Sequence, residues 1–272
     1  MRGTSMELTG QTALITGAAS GIGAALARLL AARGCHLALA DINAEGLQQV
    51  ADDLARPGLR VTTHVVDMAQ PDVAQPLVDA VVAAHGGLSL LFNNAGVALG
   101  GTFEQLTPRD FDWLMQINLH GPISLTRAAL PALHQAPEAG VVNISSLFGL
   151  IAPGGQSAYC TAKFGLRGFS EALRHELVGT KITVLPVHPG GIATNIAKNA
   201  KTSDQVAAKD QARQQRHVEK MLIMPPDQAA RIIVDALVRR KRRVLVGKDA
   251  KRADLIQRLM PGRYWDVIAK SM

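Results

Sequence analysis

The chain has 272 residues, 47% of them hydrophobic and 19% charged, with a formal net charge of +7. That length lets a chain bury roughly three quarters of the surface it exposes when unfolded, and the composition excludes a disordered, collagen-like or linker polypeptide. No apolar run reaches the ~20 residues that cross a bilayer, no signal-peptide pattern opens the chain, and two cysteines, Cys35 and Cys160, are too few for a disulfide framework and suit a reducing cytoplasm.

Residues 1–5 read as a leader before a start at Met6. A β-branched run over 12–16 predicts a buried strand, and an Ala/Leu-rich helix follows over 22–32. The same alternation continues: strand 35–40, helix 44–55, strand 60–66, helix 72–84, and a strand over 88–92 ending at Asn93. A long helix is predicted over 108–134, then strand 141–144, helix 157–178 and strand 181–187. After a polar stretch over 195–220, the chain closes with helix 226–239, strand 243–246, a short helix over 252–259 and an aromatic tail. Near-continuous apolar strands separated by amphipathic helices imply a parallel sheet covered on both faces, a single doubly wound α/β domain. The charge is lopsided: residues 201–272 hold 17 Lys/Arg against 8 Asp/Glu, and five consecutive cations run from Arg239 to Arg243. Such a cluster suits either a phosphate-bearing partner or a solvated helix end. No aromatic residue interleaves it, which argues against a single-stranded nucleic acid.

The first strand runs into Thr16-Gly17-Ala18-Ala19-Ser20-Gly21-Ile22-Gly23, which opens a helix. Glycines at 17, 21 and 23 permit a tight turn and a close approach of backbone N–H groups, at Ser20 and Ile22 among others, to a pyrophosphate at the positive helix end. Asp41 follows 18 residues beyond Gly23, at the end of the second strand. A carboxylate there accepts hydrogen bonds from an adenosine ribose and repels a 2′-phosphate. With no Lys or Arg at Ile42 or Asn43, NAD is favoured over NADP.

Tyr159 and Lys163 stand four apart in a helical pattern and share one face. An ammonium beside a phenol favours the phenolate, and so is expected to bring the Tyr159 pKa down toward working pH. Taken alone, the pair also reads as an ordinary buried tyrosine beside a surface lysine. The loop 16–23, Asn93-Asn94-Ala95-Gly96 and Tyr159-x-x-x-Lys163 together resemble the short-chain dehydrogenase/reductase family of the single-domain, Rossmann-fold type, over about residues 8–246.

The resemblance implies a hydride-transferring oxidoreductase with a tetrad of Asn118, Ser146, Tyr159 and Lys163. Tyr159 is then the acid–base, Ser146 the carbonyl-polarising hydroxyl with Ser145 as its competitor, and Lys163 also a ligand of the nicotinamide ribose. It further implies adenine contacts from Asp67 and Met68, and cofactor contacts from Asn94, Ala95 and Gly96. Pro189, Gly190, Ile192 and Thr194 are implied to hold the nicotinamide carboxamide. A homotetramer built through helices 108–134 and 157–178 is implied as well. His188 is read as structural, and no histidine spacing suggests a metal.

For the substrate, Val97, Leu99, Ser146, Leu147, Phe148, Pro153, Gln156, Gly191 and Ile192 are candidate lining residues. They are mostly apolar and include no cation to clamp a carboxylate, which points to an uncharged hydrophobic secondary alcohol or ketone. Residues 195–224 are expected to form a substrate lid, basic through Lys198, Lys201, Lys209, Arg213, Arg216 and Lys220. Residues 248–272 form a C-terminal extension in which Trp265 either closes the pocket or packs on a neighbouring subunit. The basic, aromatic end keeps open an NADPH-dependent reductase of long-chain aldehydes or acyl-CoA, with transient membrane contact. A non-catalytic dinucleotide sensor or nucleic-acid-binding protein is the reading from another class. Such a protein is expected to have lost Tyr159 or Lys163, and this chain retains both.

Overall fold

Thr12–Thr16 forms β1, buried along its whole length, and from it the chain alternates strand and helix. In this computed structural model, which describes residues 5–196, 199–206, 209, 211 and 220–269, the order is α1 (Gly21–Ala32), β2 (His36–Asp41), α2 (Ala44–Leu54), β3 (Val61–Val65), α3 (Ala74–His85), β4 (Leu90–Asn93) and β5 (Leu99–Gly100). Next come α4 (Pro108–Met115), α5 (Gly121–Gln135), β6 (Ala139–Ile144), α6 (Ser157–Glu176), β7 (Ile182–Pro189) and β8 (Lys201–Thr202). Then follow α7 (Pro226–Val238), β9 (Val244–Val246), α8 (Lys248–Leu259) and α9 (Tyr264–Ile268). Met1 to Thr4 of the expected leader lie outside the described residues, as do parts of the lid (197–198, 207–208, 210 and 212–219) and residues 270–272. Among the described residues, no helix is long and apolar enough to cross a membrane.

Seven strands form one parallel sheet in the order β3-β2-β1-β4-β6-β7-β9. The order reverses between β1 and β4, the point at which doubly wound sheets open a crevice at their carboxyl ends. α1 and α7 cover one face through Leu26, Leu30, Ile233 and Leu237, and α3 and α5 cover the other through Leu77, Val81, Leu125 and Leu133. Alanines 24, 25, 27 and 31 thin α1 enough for α7 to pack alongside it. Thr107 starts α4 by accepting from the Asp110 backbone N at 3.1 Å and donating to the Asp110 carboxylate at 2.8 Å, with Pro108 in the first turn.

The observed elements depart from the expected ones at four places. The helix predicted over 108–134 is broken by a π-helical turn, Gln116–His120. The strand expected over 141–144 begins at Ala139, and the helix expected from Arg252 begins at Lys248. A separate two-stranded sheet pairs β5 with β8, and its elements are too short to leave a periodicity.

The basic cluster is partly consumed within the chain. Arg240 closes α7 in the left-handed region (φ 49°), with its guanidinium on Glu138 and, at 3.2 Å, on Thr183. Arg243 forms a bidentate pair with Asp254 at 3.0 and 2.8 Å. Both cysteines are buried and free, and burial raises their thiols to about 12 for Cys35 and about 11 for Cys160.

Candidate active site

A cleft of about 490 Å3 opens at the carboxyl ends of β1, β2, β4, β6 and β7. Its floor is the loop from β1 into α1. Gly17 and Gly21 adopt φ of +65° and +54°, conformations that side chains rarely take. A Cβ on Gly23 would stand 2.0 Å from the Gly17 carbonyl oxygen, so only glycine lets the first turn of α1 fold under the loop. Ser20 is the N-cap residue yet makes no side-chain cap bond. Together with Gly17, Gly21 and Ile22 it lines the cleft, leaving the helix's positive end directed into it.

The loop is stitched to its surroundings by polar side chains. Thr16 Oγ1 accepts from the backbone N of Asn94 and of Ala95, both at 3.0 Å, and donates to Phe92 O at 3.3 Å. Asn94 Nδ2 donates to Thr16 O and Gly17 O at 2.9 and 3.1 Å, so this side chain serves the loop itself. Asp41 Oδ2 accepts from Ala19 N and Oδ1 from Asn43 N, each at 2.9 Å, which leaves lone pairs on both oxygens toward the cleft it lines. Asp67, Met68, Ala95 and Gly96 line the same cleft.

The tetrad residues converge on the opposite wall. Tyr159 and Lys163 lie in α6, with Lys163 Nζ 5.6 Å from the Tyr159 ring centroid and donating to Ile144 O at 3.0 Å. Lys163 is 3% exposed, not a surface lysine. Burial lowers its ammonium to about 8. The same burial raises the Tyr159 phenol to about 12, although its hydrogen bond with Ser146 pulls the other way. In the polypeptide alone, therefore, the expected lowering of the phenol by Lys163 is overturned, because desolvation disfavours both charged forms.

The two serines have distinct surroundings. Ser145 is buried and donates to Lys163 O at 2.9 Å, whereas Ser146 faces Tyr159 and accepts from Phe148 N at 3.0 Å. His188 Nδ1 lies 3.1 Å from the Ser146 carbonyl, and because that oxygen only accepts, Nδ1 carries the proton. Burial holds this imidazole at about 4, hence neutral. Asn118 sits in the π-helical turn, fully buried. It accepts from Val97 N at 2.9 Å and donates to Val97 O at 2.8 Å, so its amide is committed to the strand-end loop.

Of the candidate substrate residues, Val97, Ser146 and Ile192 line the cleft. Leu99 is 2% exposed, in a core with Leu114, Ala158 and Ala162. Phe148 packs edge-on against the Tyr159 ring at 6.2 Å, Gln156 precedes α6 as its N-cap residue, and Gly191 lies against the Met221 carbonyl; none of the three is a wall of the cleft. Neither Leu147 nor Pro153 lines it. Pro189, Gly190, Ile192 and Thr194 do line it, and Thr194 closes onto the glycine loop, its Cγ2 3.0 Å from where a Gly21 Cβ would stand.

From the expected lid, Asn195, Ile196, Asn199 and Leu222 reach the cleft, while Lys198, Arg213 and Arg216 lie outside the described residues. Lys201 pairs with Asp110 and lies 5.6 Å from the Trp113 ring centroid. Trp113, Ile117 and Ala98 also line the cleft but carry no signal in sequence, since α4, the π-helical turn and the loop after β4 are brought there only by the tertiary fold. Trp265 packs with Leu147, Phe148 and Ile256 around Ile151, and Ala152 N donates to the Tyr264 hydroxyl at 3.1 Å, so the C-terminal extension covers the outside of the loop that follows Ser146. Among the described residues, no group of His, Cys, Asp and Glu is placed to hold a metal ion.

Known proteins are similar to this chain in sequence and in fold. The family model described as short chain dehydrogenase matches residues 11–205. The Mycobacterium tuberculosis protein SadH is 38% identical over 263 residues, 96% of this chain and 94% of that one. A short-chain dehydrogenase/reductase from Burkholderia phymatum, solved in complex with NAD, superposes with a TM-score of 0.87 at 27% identity, covering 93% of this chain and 95% of that one. One from Burkholderia cenocepacia, solved with NADP, gives 0.76 at 30% identity, covering 90% and 100%. A family model that matches residues 11–205, together with a relative 38% identical over 96% of the chain, decides the matter: the chain belongs to the short-chain dehydrogenase/reductase family.

Proposed function

We propose that this oxidoreductase interconverts an uncharged, hydrophobic secondary alcohol and its ketone with NAD, using Tyr159 as acid–base. One observation carries the reading: the Tyr159 phenol, the Ser146 hydroxyl and the buried Lys163 ammonium meet on a cleft wall otherwise built from Val97, Ala98, Trp113, Ile117 and Leu222. A dinucleotide fits the residues present. The space that side chains at 17, 21 and 23 would fill is kept clear, Ser20 leaves the α1 end open, and Asp41 offers carboxylate lone pairs at the neighbouring strand end.

Bound nicotinamide supplies the carbon that takes or gives the hydride. The chain's own part is proton handling and placement. In reduction Tyr159 donates its phenolic proton to the carbonyl oxygen, which Ser146 steadies by donating a hydrogen bond; in oxidation the phenolate removes the alcohol proton. Lys163, held by Ile144 O beside the phenol, favours the phenolate once it is charged. Asn118 fixes the loop carrying Val97 and so holds that part of the cleft wall in place. Among the described lining residues the charged ones are Asp41, Asp67 and Lys163, which supports an uncharged substrate. Asp41 supports NAD over NADP. A homotetramer assembled through α4, α5 and α6 is part of the same proposal, and gel filtration checks it.

The test follows nicotinamide absorbance with NAD and NADP against medium-chain secondary alcohols, ketones, long-chain aldehydes and acyl-CoA. NAD-dependent turnover of the alcohols is expected, and Asp41→Ser should shift preference toward NADP. NADPH-dependent reduction confined to long-chain aldehydes or acyl-CoA overturns both the substrate and the cofactor assignment.

A further inference from the structure

The segment 189–194 that lines the cleft is gripped from two sides, and one grip comes from the C-terminal extension. Gly190 and Gly191 have no positive φ, so what they need from glycine is space. A Cβ on Gly190 would stand 2.0 Å from Asp249 Oδ2, and one on Gly191 would stand 1.9 Å from the Met221 carbonyl oxygen. Gly247 clears the other side of the same carboxylate: its Cβ would lie 2.2 Å from Asp249 Oδ1.

In the socket between these glycines, Asp249 Oδ2 accepts from Gly191 N at 2.7 Å, a charge-assisted bond. Asp249 also lies in the first turn of α8, where a negative charge is favoured. Around it, Gly190 N donates to Val246 O at 2.8 Å, and Ile223 N and Met224 N donate to Gly191 O at 3.2 and 3.0 Å. Gly191 is thus fixed through its N–H by the carboxylate and through its carbonyl by the end of the lid. Its orientation sets where Ile192 and Thr194 enter the cleft.

We propose that Asp249 is a positioning residue for the nicotinamide end of the cofactor site, an inference that rests on the reading of residues 189–194 as the segment facing that ring. The adenosine end of that reading lies at Asp41 and Asp67, at and just beyond the ends of β2 and β3, whereas the bond of Asp249 goes to Gly191 beyond β7. Removing the carboxylate therefore weakens one half of the dinucleotide and spares the other.

Isothermal titration calorimetry with NADH and with ADP-ribose, which lacks the nicotinamide ring, separates the halves without requiring turnover. NADPH and 2′-phospho-ADP-ribose replace them if the wild type takes only the phosphorylated form. Asp249→Ala is expected to weaken NADH about tenfold and leave ADP-ribose within about twofold. Asp249→Asn, which keeps an accepting oxygen, should fall between. Gly190→Ala puts a methyl where the carboxylate sits and should copy the loss, and the double variant Gly190→Ala/Asp249→Ala should lose no more than either single one. If wild type binds both probes but the NADH to ADP-ribose affinity ratio is unchanged in Asp249→Ala, or the two single losses multiply in the double variant, the inference is overturned alone. A wild type that binds neither probe overturns the cofactor reading and this inference with it.

Discussion

Lys163 is expected to cost the fold stability at neutral pH, and Lys163→Met exposes that cost. Its pKa falls from 10.5 to about 8 on burial, so the folded chain binds the proton less tightly than the unfolded chain. Between those values the unfolded state holds one proton more, and stability rises with pH across that window. At 3% exposure there is little solvent screening to discount. With ~1.4 kcal/mol for each tenfold in proton affinity, the wild type should gain roughly 2–3 kcal/mol between pH 7 and pH 10 from this group. Tyr159, Cys35 and Cys160, whose pKa values are raised, pull the opposite way at high pH. They are common to both proteins, so they cancel when wild type and variant are compared. At pH 7 the gain from losing the buried charge is reduced, but not cancelled, by losing the bond to Ile144 O, so Lys163→Met should be inactive yet more stable than the wild type. Urea unfolding of both proteins, without dinucleotide, at pH 7 and pH 10 measures the difference. A stability gap between the two that does not change with pH refutes the reasoning.

Tyr159→Phe should lower turnover by at least ~100-fold while dinucleotide affinity stays within about twofold, read by single-turnover kinetics and calorimetry; substantial retained rate would sink the acid–base assignment. Gly23→Ala should abolish dinucleotide binding and cost ~2 kcal/mol or more in urea, because its methyl would stand 2.0 Å from Gly17 O. Arg243→Ala leaves the buried Asp254 with only Arg258, at 3.2 Å, as a salt-bridge partner among the described residues, and should cost ~2 kcal/mol in urea unfolding; a loss below ~0.5 kcal/mol means the pair is dispensable.

What was legible in the sequence is what local chemistry writes there. The strands of the sheet and the glycine loop follow from periodicity and from backbone angles that few residues adopt, and Tyr159 and Lys163 share a face at any four-residue spacing in a helix. The π-helical turn was hidden because Gln116-Ile117-Asn118-Leu119-His120 contains no Gly or Pro to mark a break. Burial was hidden too: spacing placed an ammonium near a phenol, but the desolvation that governs both pKa values comes from packing by distant segments. The lining role of Trp113 and the Asp249–Gly191 bond, which joins residues 58 apart, likewise exist only once the fold has formed. Leu99 and Gln156 were misplaced for the converse reason, since sequence proximity to cleft residues says nothing about which way a side chain turns.

The π-helical turn also gives this stretch of chain a place to absorb a length change. A wide turn houses one residue more than α-helical winding needs, so shortening 116–120 by one would let α4 run into α5 as an unbroken cylinder. The residues beyond the deletion would keep their facing, and Leu125, Ala129 and Leu133 would stay on the sheet they cover. The loss would be local, in the amide that holds the Val97 backbone. A single-codon deletion here would therefore strike the active-site wall and spare the core behind it, whereas the same deletion inside α5 would turn every later residue of that helix by about 100° about the axis.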